Sequence, residues 1–192
     1  MSIPAFDLGG VLPPFLGSRP GILAYQSPYH TDTEDLVLRF GTTPHRNQLL
    51  RGLLDLRAAF RTIGIVNGFQ WIDGSFVEDK EGRGGSPPSD IDIVTVFERP
   101  APLRDDVKWQ AFAAAYLHTL FDPGYCKAHY RCEAFAIDLG MSGQNTAMLS
   151  AFWFGLFSHQ RDTFRWKGVV QCPMGDDPVD QPASDELARR GY

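Results

Sequence analysis

Several things are missing from this sequence, and each absence removes a class of function. No apolar run approaches the roughly 18 residues that a membrane span needs. No basic stretch stands ahead of a hydrophobic segment near residue 1, so neither membrane insertion nor export is expected. Cysteine is scarce, with three in 192 residues. Cys126, Cys132 and Cys172 have no metal-type spacing and an odd count. That pattern points to free thiols in a reducing, cytoplasmic setting rather than a zinc module or a disulfide framework. The P-loop signature GxxxxGK[ST] does not occur, nor does the GxSxG elbow of Ser-His-Asp hydrolases. Positive charge is in deficit as well, at a net −5. A broad surface that coats nucleic acid is therefore not expected, although a local basic pocket remains open.

What is present is an ordinary globular composition, 43% hydrophobic and 21% charged. The length suits one domain with a real core. Within it the stretch 69–97 stands out. Asp90-Ile91-Asp92 opens an apolar run of strand type. Residues i and i+2 of a strand share a face, so Asp90 and Asp92 converge on one side and Ile91 and Ile93 on the other. Carboxylates held side by side repel unless cations neutralise them. Mg²⁺, with Mn²⁺ as a substitute, takes such oxygens and leaves positions free for phosphates. Upstream, 69–72 reads as a short strand running into a turn at Gly74. Glycine there lets backbone N–H groups approach a ligand, the Ser75 hydroxyl adds a donor, and a helix starting just afterwards would aim its positive end at a phosphate.

These residues resemble the polymerase-beta-type nucleotidyltransferase superfamily, whose signature is a Gly-Ser step, a spacer, Asp-x-Asp on the next strand and a third carboxylate further on. Fourteen residues separate Ser75 from Asp90, longer than the usual spacer, and the excess is assigned to a hairpin tip at 81–88. The wider frame is similar to a bacterial group of small nucleotidyltransferase-like proteins. It reads here as Gly10-Val11-Leu12-Pro13-Pro14, Asp73 to Val77, Asp90 to Asp92, Phe154-Gly155 and Lys167-Gly168. The resemblance implies an α/β (α+β) fold with a mixed central sheet flanked by helices, and a two-metal site on Asp90, Asp92 and a third acid. It also implies transfer of a nucleotide from a (d)NTP, dATP or ATP in first place, to a hydroxyl, with Gly74, Ser75 and Lys167 holding the nucleotide.

Residues 1–30 form an irregular arm with Phe6, Leu12, Phe15 and Tyr25 as anchors. Thr31-Asp32-Thr33-Glu34 has capping-box spacing ahead of a short helix stopped by Gly41. A strong amphipathic helix spans 45–63, with Arg46, Arg51, Arg57 and Arg61 reading as a solvated basic face. Another helix begins at Asp105-Asp106 and stops at Asp122-Pro123-Gly124. A strand at 129–139 offers Glu133 and Asp138 as third carboxylate on opposite faces. Glu133 is preferred, because it sits near the strand's start as the first pair does.

Residues 146–160 are apolar nearly all round and read as a buried helix or a contact with a second copy of the chain. Arg161, Arg165 and Lys167 bracket Trp166, and a last apolar run spans 169–172. The domain is thus 1–172, and 173–192 reads as an acidic tail ending in Tyr192. Such a tail would bring a phenol to the site at high effective concentration. Self-priming on Tyr192, followed by template-free oligodeoxyadenylate synthesis, resembles the nucleotidyltransferases of Hailong-type bacterial anti-phage systems, which act on an effector partner. A toxin–antitoxin-type transferase acting on a protein or tRNA, and an inactive nucleotide-binding module, are the alternatives.

Overall fold

The computed structural model describes residues 3–192. Its helices and strands run β1 (Tyr29–His30), α1 (Thr33–Phe40), α2 (Pro44–Thr62), β2 (Gly68–Asp73), β3 (Ile91–Phe97), α3 (Asp106–Leu120), α4 (Pro123–Tyr130), β4 (Cys132–Asp138), α5 (Gly143–Phe157), β5 (Val170–Pro173) and α6 (Gln181–Arg189). The five strands form one mixed sheet in the order β1-β5-β2-β3-β4. β2 pairs antiparallel with β3 and β5, while β3–β4 and β1–β5 are parallel. This is the expected α/β class. No helix among the described residues is long and apolar enough to cross a membrane.

Alternation along the strands separates two cores. Ile91, Ile93 and Phe97 of β3 join the larger one, which is filled by Leu49, Leu50, Leu53, Leu56 and Phe60 of α2. Val94 and Val96 face the other way, onto Trp71, Ile137 and Phe157. There Trp153 packs on Phe135 with ring centroids 4.1 Å apart, and Phe154 meets Trp71 edge-on at 5.8 Å. α5 covers this second face, but it is not the buried helix expected. Met148, Phe152 and Leu156, spaced by four, lie more than half exposed on its outer side.

Several helix ends differ from the sequence reading for local reasons. Asp32, not Thr31, caps α1, its carboxylate accepting from Asp35 N–H at 2.8 Å. Asp122-Pro123-Gly124 looks like a stop but also starts a helix. Asp122 caps α4 through Tyr125 N–H, with Pro123 in the first turn where its missing donor costs nothing. The strand expected over 129–139 therefore begins only at Cys132. In the arm, Leu12 is buried, Phe6 packs on Phe40 and Phe15 on Trp166, whereas Tyr25 is exposed. The loop 81–88 is no free hairpin tip, since Glu81 pairs with Arg46 and the Pro88 carbonyl meets His45 Nε2 at 2.7 Å.

The largest correction concerns the α2 arginines and the tail. Arg57, 1% exposed, lies inside the larger core. It donates to Asp180 Oδ2 at 2.8 Å, to Gln70 Oε1 at 2.8 Å and to the Pro173 carbonyl at 2.8 Å. Arg61 and the Thr33 hydroxyl complete the shell of Asp180. Arg46 is buried too, donating to the Phe76 and Glu78 carbonyls. Residues 173–192 thus form no loose tail. Asp180 is held in the core, and Ala183 and Leu187 of α6 are buried. Removing one partner of a buried pair strands the other charge, at a cost of about 3–5 kcal/mol. Asp180→Asn should lose stability on that scale in urea unfolding. A loss below about 1 kcal/mol, the range of exposed pairs, would contradict the burial.

Candidate active site

Register brings the site together. Asp73 at the end of β2 lies opposite Asp92 on β3, and Asp92 lies opposite Glu133 on β4. Cross-strand partners point to the same side, so three carboxylates form a row across three adjacent strands, roughly 5 Å from one strand to the next. The row shares its face with Trp71, Val94 and Ile137, at the edge of the core under α5. Asp90 sits one pleat beyond, just before β3 begins. The choice of Glu133 over Asp138 agrees with this geometry. Asp138 closes the far end of β4, where Arg99 Nε donates to it at 2.8 Å.

The Gly74 turn is pressed against this row. Its φ of +75° is left-handed, and a Cβ there would lie 1.6 Å from Asp92 Oδ2, so only glycine fits. The helix expected to start here is a four-residue 3-10 turn, Gly74–Val77, too short to supply a helix dipole. The Ser75 side chain is half-buried.

Lys167 is not where a nucleotide ligand is expected. It is buried behind the turn, 3.0 Å from Asp73 Oδ2, 3.0 Å from Glu78 Oε1 and 3.0 Å from the Gly74 carbonyl. Burial pulls its ammonium down, but Asp73 and Glu78 more than offset this and hold it above its ordinary value. Its role is to neutralise the turn from inside, so the assignment to phosphate is corrected. The cation on the open side is Arg161, exposed and close enough to ease the charge on Asp92. Arg165 is drawn toward Asp7 instead, at 3.8 Å.

Burial, with crowding of like charge behind it, holds two carboxyls of the row above their ordinary values. Burial first, then Asp90 and Glu133, push Asp92 up to about 6, against relief from Lys167 and Arg161. Burial likewise pushes Asp73 up to about 7, with Lys167 opposing. Asp90 is 7% exposed, and Ser89 Oγ donates to its Oδ1 at 2.7 Å. Its buried Oδ2 is neutralised by the Lys127 ammonium, 2.6 Å away. Among the described residues no three His, Cys, Asp or Glu side chains converge into a ready-made metal cage. The donors nevertheless suit a hard divalent cation in kind: carboxylates under mutual repulsion, a buried Asp73 Oδ1 without a hydrogen-bond partner, and a glycine cradle that any side chain would fill.

Tyr192 lines a separate cleft of about 200 Å³ with Gln48, Arg51, Asp55, His129 and Arg131. Its N–H donates to the Leu187 carbonyl at 2.9 Å, and its own carbonyl accepts from Arg51 at 2.8 Å. None of the three sequence-selected carboxylates lines that cleft, so priming on Tyr192 would first require these contacts to break.

The sequence reading missed Asp73, Glu78 and Lys127 as parts of the site. Asp73 was legible, because it alternates with Phe69 and Trp71. Glu78 and Lys127 carry no local signal.

No curated protein and no solved structure matches the chain. Residues 4–173 match the model of DUF6932, described as a family of unknown function. That span holds the whole carboxylate row, the glycine turn and both lysines. The chain belongs to this family.

Proposed function

We propose that the chain is a nucleotidyltransferase that moves a (deoxy)nucleoside monophosphate from a triphosphate to an acceptor hydroxyl. One observation carries this reading: a left-handed glycine turn after β2 packs directly on Asp92, the middle residue of an acidic row that runs from β2 through β3 to β4. A structural role alone gives no reason to gather Asp73, Asp92 and Glu133 at one strand end with Asp90 beside them, since each raises the cost of charging its neighbours.

The roles follow from position. Asp90 and Asp92, with Glu133 as third ligand, would hold Mg²⁺ or Mn²⁺, which supplies neutralisation of the triphosphate and acidification of the acceptor hydroxyl when bound. Glu133 Oε is the group placed to take the acceptor's proton. Gly74 keeps the turn free of side chain so that the ligand can approach the backbone, and the Ser75 hydroxyl is a donor toward phosphate. Arg161 draws the anionic end of the substrate to the open side. The acceptor oxygen attacks the α-phosphorus, the bond from that phosphorus to the bridging oxygen breaks, and pyrophosphate leaves. Such chemistry depends on positioning and charge more than on covalent catalysis.

Incubation of the purified chain with Mg²⁺ and each labelled (deoxy)nucleoside triphosphate, dATP and ATP first, tests this on a denaturing gel. Label should appear on the chain, on an oligonucleotide, or on added protein or tRNA. Its absence in all lanes would reject the proposal. Asp92→Asn should lower the signal at least 100-fold, and Arg161→Ala should weaken triphosphate binding several-fold with a smaller effect on turnover.

Gly74→Ala should remove the activity and cost stability together, because φ is unfavourable and the new methyl meets Asp92. The raised pKa of Asp92 also sets a pH dependence. Between the ordinary carboxylate value of 3.8 and about 6 the folded state holds a proton that the unfolded state has lost, so Asp92 lowers stability progressively as pH rises through that window. In chelator, Asp92→Asn should therefore stabilise the chain by on the order of 2 kcal/mol at pH 7.5 and leave it unchanged near pH 3.5. Thermal melts at the two pH values measure the difference.

A further inference from the structure

We propose that Lys127 is a built-in counter-ion of the acidic row: it occupies the cation position at Asp90, excludes a bare divalent ion, and yields when that ion arrives with a triphosphate. The counter-ion role rests on geometry. The displacement by triphosphate rests on the nucleotidyltransferase reading.

Three observations carry it. The Lys127 ammonium lies 2.6 Å from Asp90 Oδ2, a buried oxygen whose charge it neutralises. Asp92 and Glu133 act on the same ammonium, so it serves the group rather than one acid. Its side chain is 53% exposed, whereas Lys167 is 2% exposed and enclosed by Asp73, Glu78 and the Gly74 carbonyl. One lysine is therefore fixed inside the turn and the other can leave. A lysine suits such exchange, being a compact point charge on a flexible four-carbon stem with three rotatable donors.

The backbone keeps Lys127 in reach. α4 ends at Arg131 in the left-handed region, with φ 55°, and the Arg131 carbonyl accepts from Ile91 N–H at 3.0 Å. The last turns of α4 are thus tied to the residue following Asp90. Displacement leaves the ammonium beside the incoming phosphates, whose anionic oxygens replace the carboxylate oxygen as its acceptors.

The test uses the full chain, Lys127→Gln and Lys127→Arg. With chelator at pH 7.5, Lys127→Gln should melt several degrees below the wild type, while Lys127→Arg, which keeps the charge, should stay close to it. Equal melting of all three overturns the counter-ion role. In calorimetric titration with Mn²⁺ alone, Lys127→Gln should bind about tenfold more tightly than the wild type. An unchanged affinity, or no Mn²⁺ binding by any of the three, overturns the placeholder.

With Mn²⁺ and a non-hydrolysable dATP analogue the order should reverse, Lys127→Gln binding about tenfold more weakly. Should the chelator and Mn²⁺ results hold while no protein binds the analogue, Lys127 remains the counter-ion and the nucleotide reading falls. If the analogue binds equally to all three, the nucleotide reading survives and the exchange at Lys127 does not.

Discussion

Like charges gathered in a partly dry place repel with an energy that water would otherwise quench, and this repulsion governs one whole end of the sheet. Asp73, Asp92 and Glu133 stand on three adjacent strands, and Asp90 leads into the middle one. Around them the chain supplies three cations in graded exposure. Lys167 is sealed behind the glycine turn, Lys127 sits at the rim, and Arg161 stands in solvent. The sealed charge neutralises the turn from inside, and the row's cations do not offset the burial and the neighbouring Asp90 and Glu133 that raise Asp92. An arrangement meant only for stability would have closed that gap with a further buried partner, as Arg99 does for Asp138 at the opposite strand end.

The rigidity that holds this strained end comes from a second polar cluster deeper in the molecule. Arg57 joins α2 to β2 through Gln70, to β5 through the Pro173 carbonyl and to the segment before α6 through Asp180. Gln70 passes the connection to Thr95 on β3, its amide donating at 3.0 Å. The two central strands that present Asp73 and Asp92 are therefore cross-linked by side chains as well as by their ladder. Burying so many polar groups is tolerable because each one is satisfied.

How much of this could be read from the chain follows from the range of each interaction. The strand alternation that pairs Ile91 with Ile93 and sets Asp92 apart is local, and it appears as expected in the two cores. Alternation sets Glu133 and Asp138 on opposite faces, and the place of Glu133 near the strand's start is what favours it. A turn at Gly74 was also anticipated, although its left-handed backbone and its close approach to Asp92 were not. What escaped was set by partners far along the chain. Arg46, Arg51, Arg57 and Arg61 look alike on a helical wheel, yet Arg57 is buried because Asp180 lies 123 positions away. Lys167 looks like an anion ligand until Asp73 and Glu78 are found around it. Composition misled for 173–192, because a nine-residue helix needs only Ala183 and Leu187 on its inner side to dock, and its other residues are free to be polar.

The family match ends at residue 173, while the Arg57 cluster reaches to Asp180. The sequence boundary and the physical boundary are therefore not the same place. A polypeptide cut at the first would keep every acidic residue of the row, yet it would leave a guanidinium marooned among leucines with nothing to balance it.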